Sequence, residues 1–312
     1  MVKVSVYTAQ AKTQWDEFAA RSKNGVFLFY RDYMEYHSDR FQDFSLLFYE
    51  DGKLIGIMPA NCKEGTVYSH AGLTFGGIAA DCKMKTPLML EIFNSLKQFL
   101  KTYKINKLIY KPVPYIYHLV PAEEDRYALF LNEAALVKRD VSSSIFMKNV
   151  LLFSKGRDWS IKKSKNFNFI VQESSDYKSF MKIEEELLKE KYNTKPTHTA
   201  EELKLLSNRF PNQIKLFTVC EKEEIRGGCV IYEYQRVAHA QYIASTSEGR
   251  KKYALDFLFD YLIHHIYRDK EYFDFGISTE KEGKFLNLGL TAYKEEFGAR
   301  AVVYDTYEWK IS

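Results

Sequence analysis

A polar stripe on a predicted helix near the carboxyl end of the chain is the pattern that most suggests chemistry. In the stretch FGISTEKEGKFLNLGLTAYKEEFGA, the predicted helix 285–297 has an apolar side at helical spacing, formed by Leu286, Leu290, Tyr293 and Phe297. Asn287, Thr291 and Lys294 form a polar stripe beside it. A lysine in such a stripe can stabilise a developing oxyanion as a compact cation, or it can pair with carboxylates on an exposed helix. We expect the stripe to face a reaction cleft.

Two predicted strands supply further polar side chains that could act with that lysine. Alternation along HAQYI predicts that His239 and Gln241 lie on one face of a strand and Tyr242 on the other. His239 is either a functional group or a packed strand histidine. Glu280 follows the strand FDFGIS, where binding residues of open α/β sheets collect. The structural alternative for Glu280 is a helix cap or a solvated loop.

A glycine-rich segment and a further histidine are candidates for binding an acceptor. In SHAGLTFGG, His70 and Thr74 could line a groove, while Gly76 and Gly77 would let a bulky substrate approach. Turn requirements alone also explain such glycines. His198, just before a predicted helix, could contribute from the other half of the chain. A structural role is the simpler alternative for all of these positions.

The elements that must position these residues occur twice in the same order. Each half predicts a strand, two helices, a three-strand meander, a helix, a strand, a helix and a final strand. The repeat predicts a duplicated α/β (α+β) fold, in which each domain has a mixed sheet flanked by helices. We place one domain at 1–148, a basic linker at 149–166 and a second domain at 167–312. The linker is either a solvated connector or a basic lip that binds phosphate.

The composition argues against several classes of protein. The 312-residue chain is 46% hydrophobic with a net charge of +4, which is typical of globular proteins and does not by itself indicate a nucleic-acid binder. Four cysteines without regular spacing, and the lack of a metal-ligand motif, argue against a disulfide framework or a metal site. The sequence has neither an 18-residue apolar run nor a signal-type amino terminus, so we expect a cytoplasmic protein without a transmembrane segment. The oligomeric state stays open.

The element order resembles the GNAT acyltransferase fold, and two such domains in one chain resemble the Fem-type tandem GNAT acyltransferases. FDFGIS followed by AYKEEFG is similar to the Asp-Phe-Gly strand end and the aromatic-lysine helix of that family. SHAGLTFGG, HAQYIAS and FGISTE resemble Fem-like acyltransferases from bacterial surface-polysaccharide loci. The resemblance implies that the acyl group lies between the fourth and fifth strands of the second domain. It also implies that Lys294 stabilises charge during acyl transfer, and with His239 and Glu280 on the segments that border this gap we predict Lys294, His239 and Glu280 as the catalytic residues.

The donor is the point at which the sequence departs from GNAT enzymes that use acetyl-CoA. Those enzymes have a glycine-rich loop whose N–H groups bind a pyrophosphate, whereas STSEGRKKYALD has a single glycine and three consecutive cations. Fem-type enzymes lack the same loop. We therefore expect either acyl-CoA, such as acetyl-CoA, or aminoacyl-tRNA as the donor. The candidate donor-binding residues are Gln241, Tyr242, Arg250, Lys251, Lys252 and Asn287.

Together these patterns predict an N-acyltransferase that acts on an amino group of a sugar or cell-envelope precursor. The acceptor would be a small-molecule or lipid-linked sugar, and tRNA would be a partner if it carries the donor group. The alternative is a catalytically silent protein that binds a glycan or a nucleotide-sugar.

Overall fold

We describe the protein from a computed structural model, which covers residues 1–311 and, for Lys191 and Tyr192, the backbone alone. The elements of the amino half are β1 Val2–Val6, α1 Lys12–Arg21, α2 Arg31–Met34, β2 Leu46–Glu50, β3 Lys53–Met58, β4 Asn61–Lys63, β5 Thr66–Tyr68, β6 Ala79–Ala80, α3 Thr86–Thr102, β7 Lys107–Tyr110, α4 Glu124–Leu131 and β8 Ala135–Phe146. The elements of the carboxyl half are α5 Lys155–Ser164, β9 Ile170–Ser174, α6 Tyr177–Tyr192, α7 Ala200–Arg209, β10 Ile214–Glu221, β11 Glu224–Glu233, β12 Val237–Ser245, α8 Ser247–Lys251, α9 Ala254–Tyr261, β13 Tyr272–Ile277, β14 Thr279–Glu280, β15 Phe285–Leu286, α10 Leu288–Glu295 and β16 Arg300–Lys310. The predicted mixed α/β class is confirmed.

Unit 1 of the two compact units of the chain comprises Met1–Asp140, Thr279–Phe285 and Val303–Ser312. One of its sheets has the strand order β1-β2-β3-β6. In its second group of strands, β5 runs parallel to β7, and β7 pairs antiparallel with the end of β16. Trp309 of β16 is buried against Phe93 of α3, with ring centroids 5.4 Å apart. The last strand of the chain therefore completes the core of unit 1.

Unit 2 comprises Val141–Ser278 and Leu286–Val302. Its strands follow the order β8-β13-β12-β11-β10-β9, and β12 and β13 are the parallel pair. Helix α9 contributes Leu258 and Phe259 to a core that also contains Ile231 of β11 and Phe273 of β13. This core fixes the two parallel strands from one face of the sheet.

These units do not coincide with the domain bounds that we predicted at 148 and 167. From the sequence, we expected β8 to belong to the domain of the amino half and β16 to that of the carboxyl half. Instead, β8 pairs with β13 in unit 2 through Ser142–Phe146, and β16 pairs with β7 in unit 1. Strand pairing between residues far apart in sequence produces no local pattern, so the sequence could not show this exchange.

The segment 149–166, predicted as a linker, contains helix α5 and belongs to unit 2. Ser154 caps this helix by accepting a hydrogen bond from the N–H of Arg157. The guanidinium of Arg157 is buried and forms ion pairs with Asp256 and, at 2.7 Å, with Glu296. Arg157 is therefore a packing residue, while the lysines of the segment remain exposed.

Candidate active site

The parallel strands β12 and β13 stop pairing part of the way along their length. Their three paired positions are Val237 with Tyr272, Ala238 with Phe273 and His239 with Asp274. Both strands continue past the last pair, β12 to Ser245 and β13 to Ile277. Among the described residues, the ladder between the two strands therefore ends at His239.

A glycine kink in β13 turns two carbonyl groups towards helix α10. Gly276 has φ +74°, a conformation that residues with a Cβ rarely adopt, and the register of β13 against β8 shifts between Asp274 and Ile277. The carbonyls of Gly276 and Ile277 each accept a hydrogen bond from Nζ of Lys294 at 2.8 Å. The kink thereby creates the binding site for the lysine.

Lys294 is a buried cation, with 3% of the residue exposed. Burial lowers the pKa of Lys294 to about 8, and the charge of Asp274 acts in the opposite direction. An ammonium group has three donors, of which the two carbonyls take two. The third can serve a ligand, and the low pKa places proton loss close to physiological pH.

Asp274 organises the polar groups next to this lysine. Its side chain is fully buried, and Oδ1 accepts a hydrogen bond from Oγ of Ser142 at 2.6 Å. Oδ2 lies 2.7 Å from Nδ1 of His239. Because a carboxylate only accepts, His239 carries its proton on Nδ1, and Nε2 is then the basic nitrogen of the neutral ring. A Cβ at Gly276 would lie 3.9 Å from that Nε2.

Two residues of the polar stripe of the predicted helix are buried in the protein, and the expectation that the stripe faces a reaction cleft stays a prediction. Thr291 and Lys294 are buried, whereas Leu286 and Leu290 of the predicted apolar side are each 37% exposed. The expectation that this lysine is an exposed residue pairing along its helix is wrong. The helix is also shorter than 285–297, because Phe285 and Leu286 form β15 and Asn287 caps α10 by accepting from the N–H of Leu290.

The predicted alternation along β12 is wrong at one residue. β12 pairs Tyr242 with Val230 but Ala240 with Ile231, so Gln241 is an extra residue in a β-bulge. The bulge places His239 and Tyr242 on the same face of the sheet. Tyr242 then meets His198, whose Nδ1 lies 2.6 Å from the tyrosine hydroxyl. The structure thus joins a candidate donor-binding residue and a candidate acceptor-binding residue.

Glu280 lies on β14 in unit 1, whereas Lys294, His239 and Asp274 lie in unit 2. Its proposed catalytic role rests on the sequence alone and stays a prediction.

The three consecutive cations end helix α8 and also precede helix α9, which begins at Ala254. Thr246 caps the short helix α8, and Arg250, Lys251 and Lys252 lie in and just after its last turn. Cations at a helix carboxyl end are stabilised by its dipole. Lys252 pairs with Glu221 at 2.8 Å, Lys251 lies 3.4 Å from Glu248, and Arg250 donates to the carbonyl of Ser245 at 2.9 Å. Their role in donor binding stays a prediction, and protein partners already account for each of them.

The segment SHAGLTFGG lies in unit 1, where its glycines serve packing. A Cβ at Gly76 would lie 1.7 Å from the carbonyl oxygen of Ser69, and one at Gly77 would lie 2.9 Å from the hydroxyl of Tyr110. Protein atoms thus fill the space that we expected to admit a substrate. His70 is buried, and burial lowers its pKa to about 3, whereas Thr74 is exposed. Their role in acceptor binding stays a prediction.

The sequence analysis missed Asp274 and Ser142. A carboxylate inside the apolar strand YFDFGI is a signal that could have identified Asp274, because a buried charge requires partners. Ser142 gave no comparable signal, since its role depends on the pairing of β8 with β13. Two more hydroxyls near Lys294, those of Ser278 and Thr291, are buried and have no hydrogen-bond partner among residues 1–311.

No protein-family model and no curated protein sequence matches this chain. Among solved structures, the crystal structure of FemX matches with a TM-score of 0.69 and 12% identity, over 99% of this chain and 97% of that chain. The structure of L-PGS from Bacillus licheniformis matches with a TM-score of 0.62 and 10% identity, over 96% and 91%. A tandem GNAT protein from the clavulanic acid biosynthesis pathway matches with a TM-score of 0.50 and 10% identity, over 100% and 99%. The chain has the tandem GNAT fold.

The tandem GNAT fold confirms the resemblance inferred from the motifs, at the level of the fold. The strands β12 and β13, which stop pairing at His239, are the two strands between which the resemblance placed the acyl group. In the part of the chain that the structure describes, no helix is long and apolar enough to cross a membrane. Within the same residues, no three histidine, cysteine or acidic side chains cluster as metal ligands would.

Proposed function

We propose that this protein is an N-acyltransferase that moves an acyl or aminoacyl group onto an amino group of a sugar or cell-envelope precursor. The observation that carries the proposal is the position of Lys294 and His239 where the parallel strands of unit 2 stop pairing. Acyl transfer to an amine needs a proton acceptor and a donor aimed at the developing oxyanion. His239 and Lys294 are groups of these two kinds.

In the proposed reaction, the acyl carbonyl lies between β12 and β13 with its oxygen towards Lys294. The remaining N–H of the ammonium stabilises the negative charge that develops on this oxygen when the amine attacks. The buried hydroxyls of Ser278 and Thr291 can donate to the same oxygen, since neither has a partner among the described residues. Nε2 of His239 takes a proton from the attacking nitrogen, while Asp274 holds the imidazole in the required tautomer.

Both donors that we considered, acyl-CoA and aminoacyl-tRNA, are compatible with this site. The similar structures include a tandem GNAT protein described as being without AcCoA and a lysylphosphatidylglycerol synthetase domain. CoA thioesters and charged tRNA are cytoplasmic, so we place the reaction in the cytoplasm. The acceptor is a small-molecule or lipid-linked sugar that carries a free amine.

The experiment is to measure donor consumption with and without an acceptor. Free thiol released from acetyl-CoA and the loss of lysine from lysyl-tRNA would be followed in the presence of amino-sugar nucleotides, with their N-acetylated forms as controls. An enzyme consumes one donor only when the free amine is present. A protein that binds a nucleotide-sugar without consuming either donor is the silent binding protein, and that result would reject the proposal.

A further inference from the structure

Glu184 lies on the buried side of helix α6, at a position where an amphipathic helix normally has an apolar side chain. The residues that α6 buries follow the spacing i, i+3, i+4 and i+7, and they are Tyr177, Phe180, Met181 and Glu184. Glu184 is only 7% exposed. A carboxylate is almost never buried to this extent unless it has a partner, so its presence requires an explanation.

The neighbours of Phe180 show which face of the sheet α6 covers. A Cβ at Gly228 would lie 2.9 Å from the ring of Phe180, so Phe180 packs on the face to which Gly228 belongs. Gly228 pairs with Ala244, and two residues along β11, Val230 pairs with Tyr242. Residues two apart on a strand, and residues paired across strands, share a face. Helix α6 therefore covers the face that carries Tyr242 and, because of the bulge, His239.

The end of α6 locates Glu184 along β12. Glu190 lies 3.7 Å from Arg250, which in turn donates to the carbonyl of Ser245, the last residue of β12. Glu184 is between Phe180 and Glu190 on the helix. Helix α6 thus runs along the part of β12 that follows His239, where β13 no longer pairs with the strand, and Glu184 lies on the buried side of the helix in that stretch.

The surroundings of Glu184 favour the protonated form of its carboxyl group. Its Oε2 is buried and has no hydrogen-bond partner in the described part of the chain. Burial raises the pKa of Glu184 to about 7. Among the described side chains, no cation of a neighbouring element bonds to this Oε2, and His239 on the covered face bonds to Asp274. The thiol of Cys229 has a pKa raised by burial and then by the charge of Glu184, Tyr242 and His198 bond to each other, and Arg250 pairs with Glu190.

We propose that Glu184 binds the ammonium group of the acceptor and accepts its proton before acyl transfer, an inference that rests on the proposed function. A protonated primary amine gives one proton to the carboxylate of Glu184 and becomes the free amine. The nitrogen lone pair attacks the acyl carbon, and the bond from that carbon to the sulfur or oxygen of the donor breaks. The second proton of the nitrogen passes to Nε2 of His239 and from there to the leaving thiol or hydroxyl. The substrate class is therefore a primary amine that is cationic at neutral pH, in preference to a hydroxyl or a neutral amide.

The binding step can be tested without knowing the natural acceptor. The side-chain carboxyl carbons of the full chain, labelled with 13C in glutamate, would be titrated by NMR from pH 5 to 9, and Glu184→Gln would assign the signal. We expect a midpoint near neutral pH that falls by about one pH unit with saturating ethylammonium, and that does not move with ethanol. A midpoint in the ordinary range of glutamate, or one that ethylammonium leaves in place, would overturn the proposal.

A second pair of variants separates this role from a structural one. Glu184→Met replaces a buried carboxylate that lacks a full set of partners with an apolar side chain of similar length. We expect the midpoint of denaturant unfolding to stay the same or to rise, and Glu185→Met on the exposed side of α6 is the matched control. A clear loss of stability in Glu184→Met alone would mean that the carboxylate holds the fold together, and it would overturn the proposal.

Acyl-transfer rates distinguish this proposal from the proposed function. If the wild type transfers acyl groups and Glu184→Gln does so equally well from pH 6 to 8, the role of Glu184 is wrong and the function stands. If ethylammonium shifts the midpoint but no donor is ever consumed, the amine site stands and the enzyme assignment is wrong.

Discussion

Burial destabilises the charged form of Lys294, whereas hydrogen bonding stabilises it. Moving an ammonium group out of water is costly, and two carbonyl oxygens at 2.8 Å compensate part of that cost. A hydrogen bond that involves a charged group contributes about 1.5–3 kcal/mol. The part of the desolvation cost that is not compensated lowers the pKa of Lys294. Measuring that pKa therefore tests how deeply the ammonium group is buried.

We predict that the stability of the wild type rises between pH 8 and 10.5 relative to that of Lys294→Met. The pKa of Lys294 is about 8 in the fold and 10.5 when the side chain is solvated. Within that window the unfolded chain binds more protons than the folded one, so stability increases with pH. The difference is at most ~3.5 kcal/mol, at about 1.4 kcal/mol per pKa unit. Denaturant unfolding of both proteins across this range measures it, and parallel pH profiles would contradict a buried, titrating lysine.

Asp274→Asn should lower turnover by about 10²-fold, the range for a proton-transfer group that is set in the wrong state. The amide can donate to Nδ1 of His239, which would place the ring proton on Nε2. The pH–rate profile should lose its low-pH limb, an effect that simple unfolding does not produce. Asp269→Asn is the control because that side chain is 92% exposed. Equal rates for the wild type and Asp274→Asn would remove His239 from the mechanism.

At the scale of elements, irregular backbone positions the site. Gly276 turns two carbonyls of β13 towards Lys294, and the bulge at Gln241 moves Tyr242 onto the face of His239. Both features lie next to the point where β12 and β13 stop pairing, which is where we propose that the acyl group binds.

Gly276→Ala should damage the site more than the fold. A left-handed conformation costs a residue with a Cβ about 1 kcal/mol, and relief of that strain would swing the carbonyls away from Lys294. Gly52→Ala is the matched control, with φ +75° and no atom within 4 Å of the added Cβ. We expect similar losses of stability and at least a tenfold loss of turnover for Gly276→Ala alone. Unfolding curves and rates measured on both variants would test this, and equal turnover would show that the kink has no role.

The sequence predicts the order of elements well because amphipathic periodicity is a local property. It also led us to predict functional roles for Lys294 and His239, since both lie in motifs with recognisable neighbours. It fails where partners are distant along the chain. The burial of Lys294 depends on carbonyls of β13, and the side of the sheet on which Tyr242 lies depends on a bulge that only the pairing with β11 reveals. The glycines at 76 and 77 misled us because their tight contacts are with Ser69 and Tyr110.

At the scale of the molecule, each compact unit contains a strand from the other half of the sequence. Unit 1 takes in the chain from Val303, and unit 2 takes in β8 from Val141. Neither predicted domain therefore holds all the strands of a unit. This arrangement brings Trp309 and Ile311 into the core of unit 1.

Trp309→Ala should destabilise unit 1 by about 3–5 kcal/mol, the usual range for removing a large buried aromatic side chain. Trp309 is 1% exposed and contacts Phe93. Trp159→Ala is the control, because that ring is 53% exposed. Hydrogen exchange should show lost protection in α3 and β7 for Trp309→Ala. Unchanged protection there would mean that β16 does not support unit 1.

The most direct test of the proposed function is the mass of the acceptor after incubation with the protein and each donor. We expect the wild-type protein to add the mass of one acetyl or one lysyl group to an amino-sugar nucleotide. We also expect at least tenfold less product with Lys294→Met at equal concentration of folded protein, since losing one oxyanion donor typically costs 10²–10³ in rate. Product formed at the same rate by both proteins, or no product with either donor while the nucleotide binds, would contradict acyl transfer at Lys294.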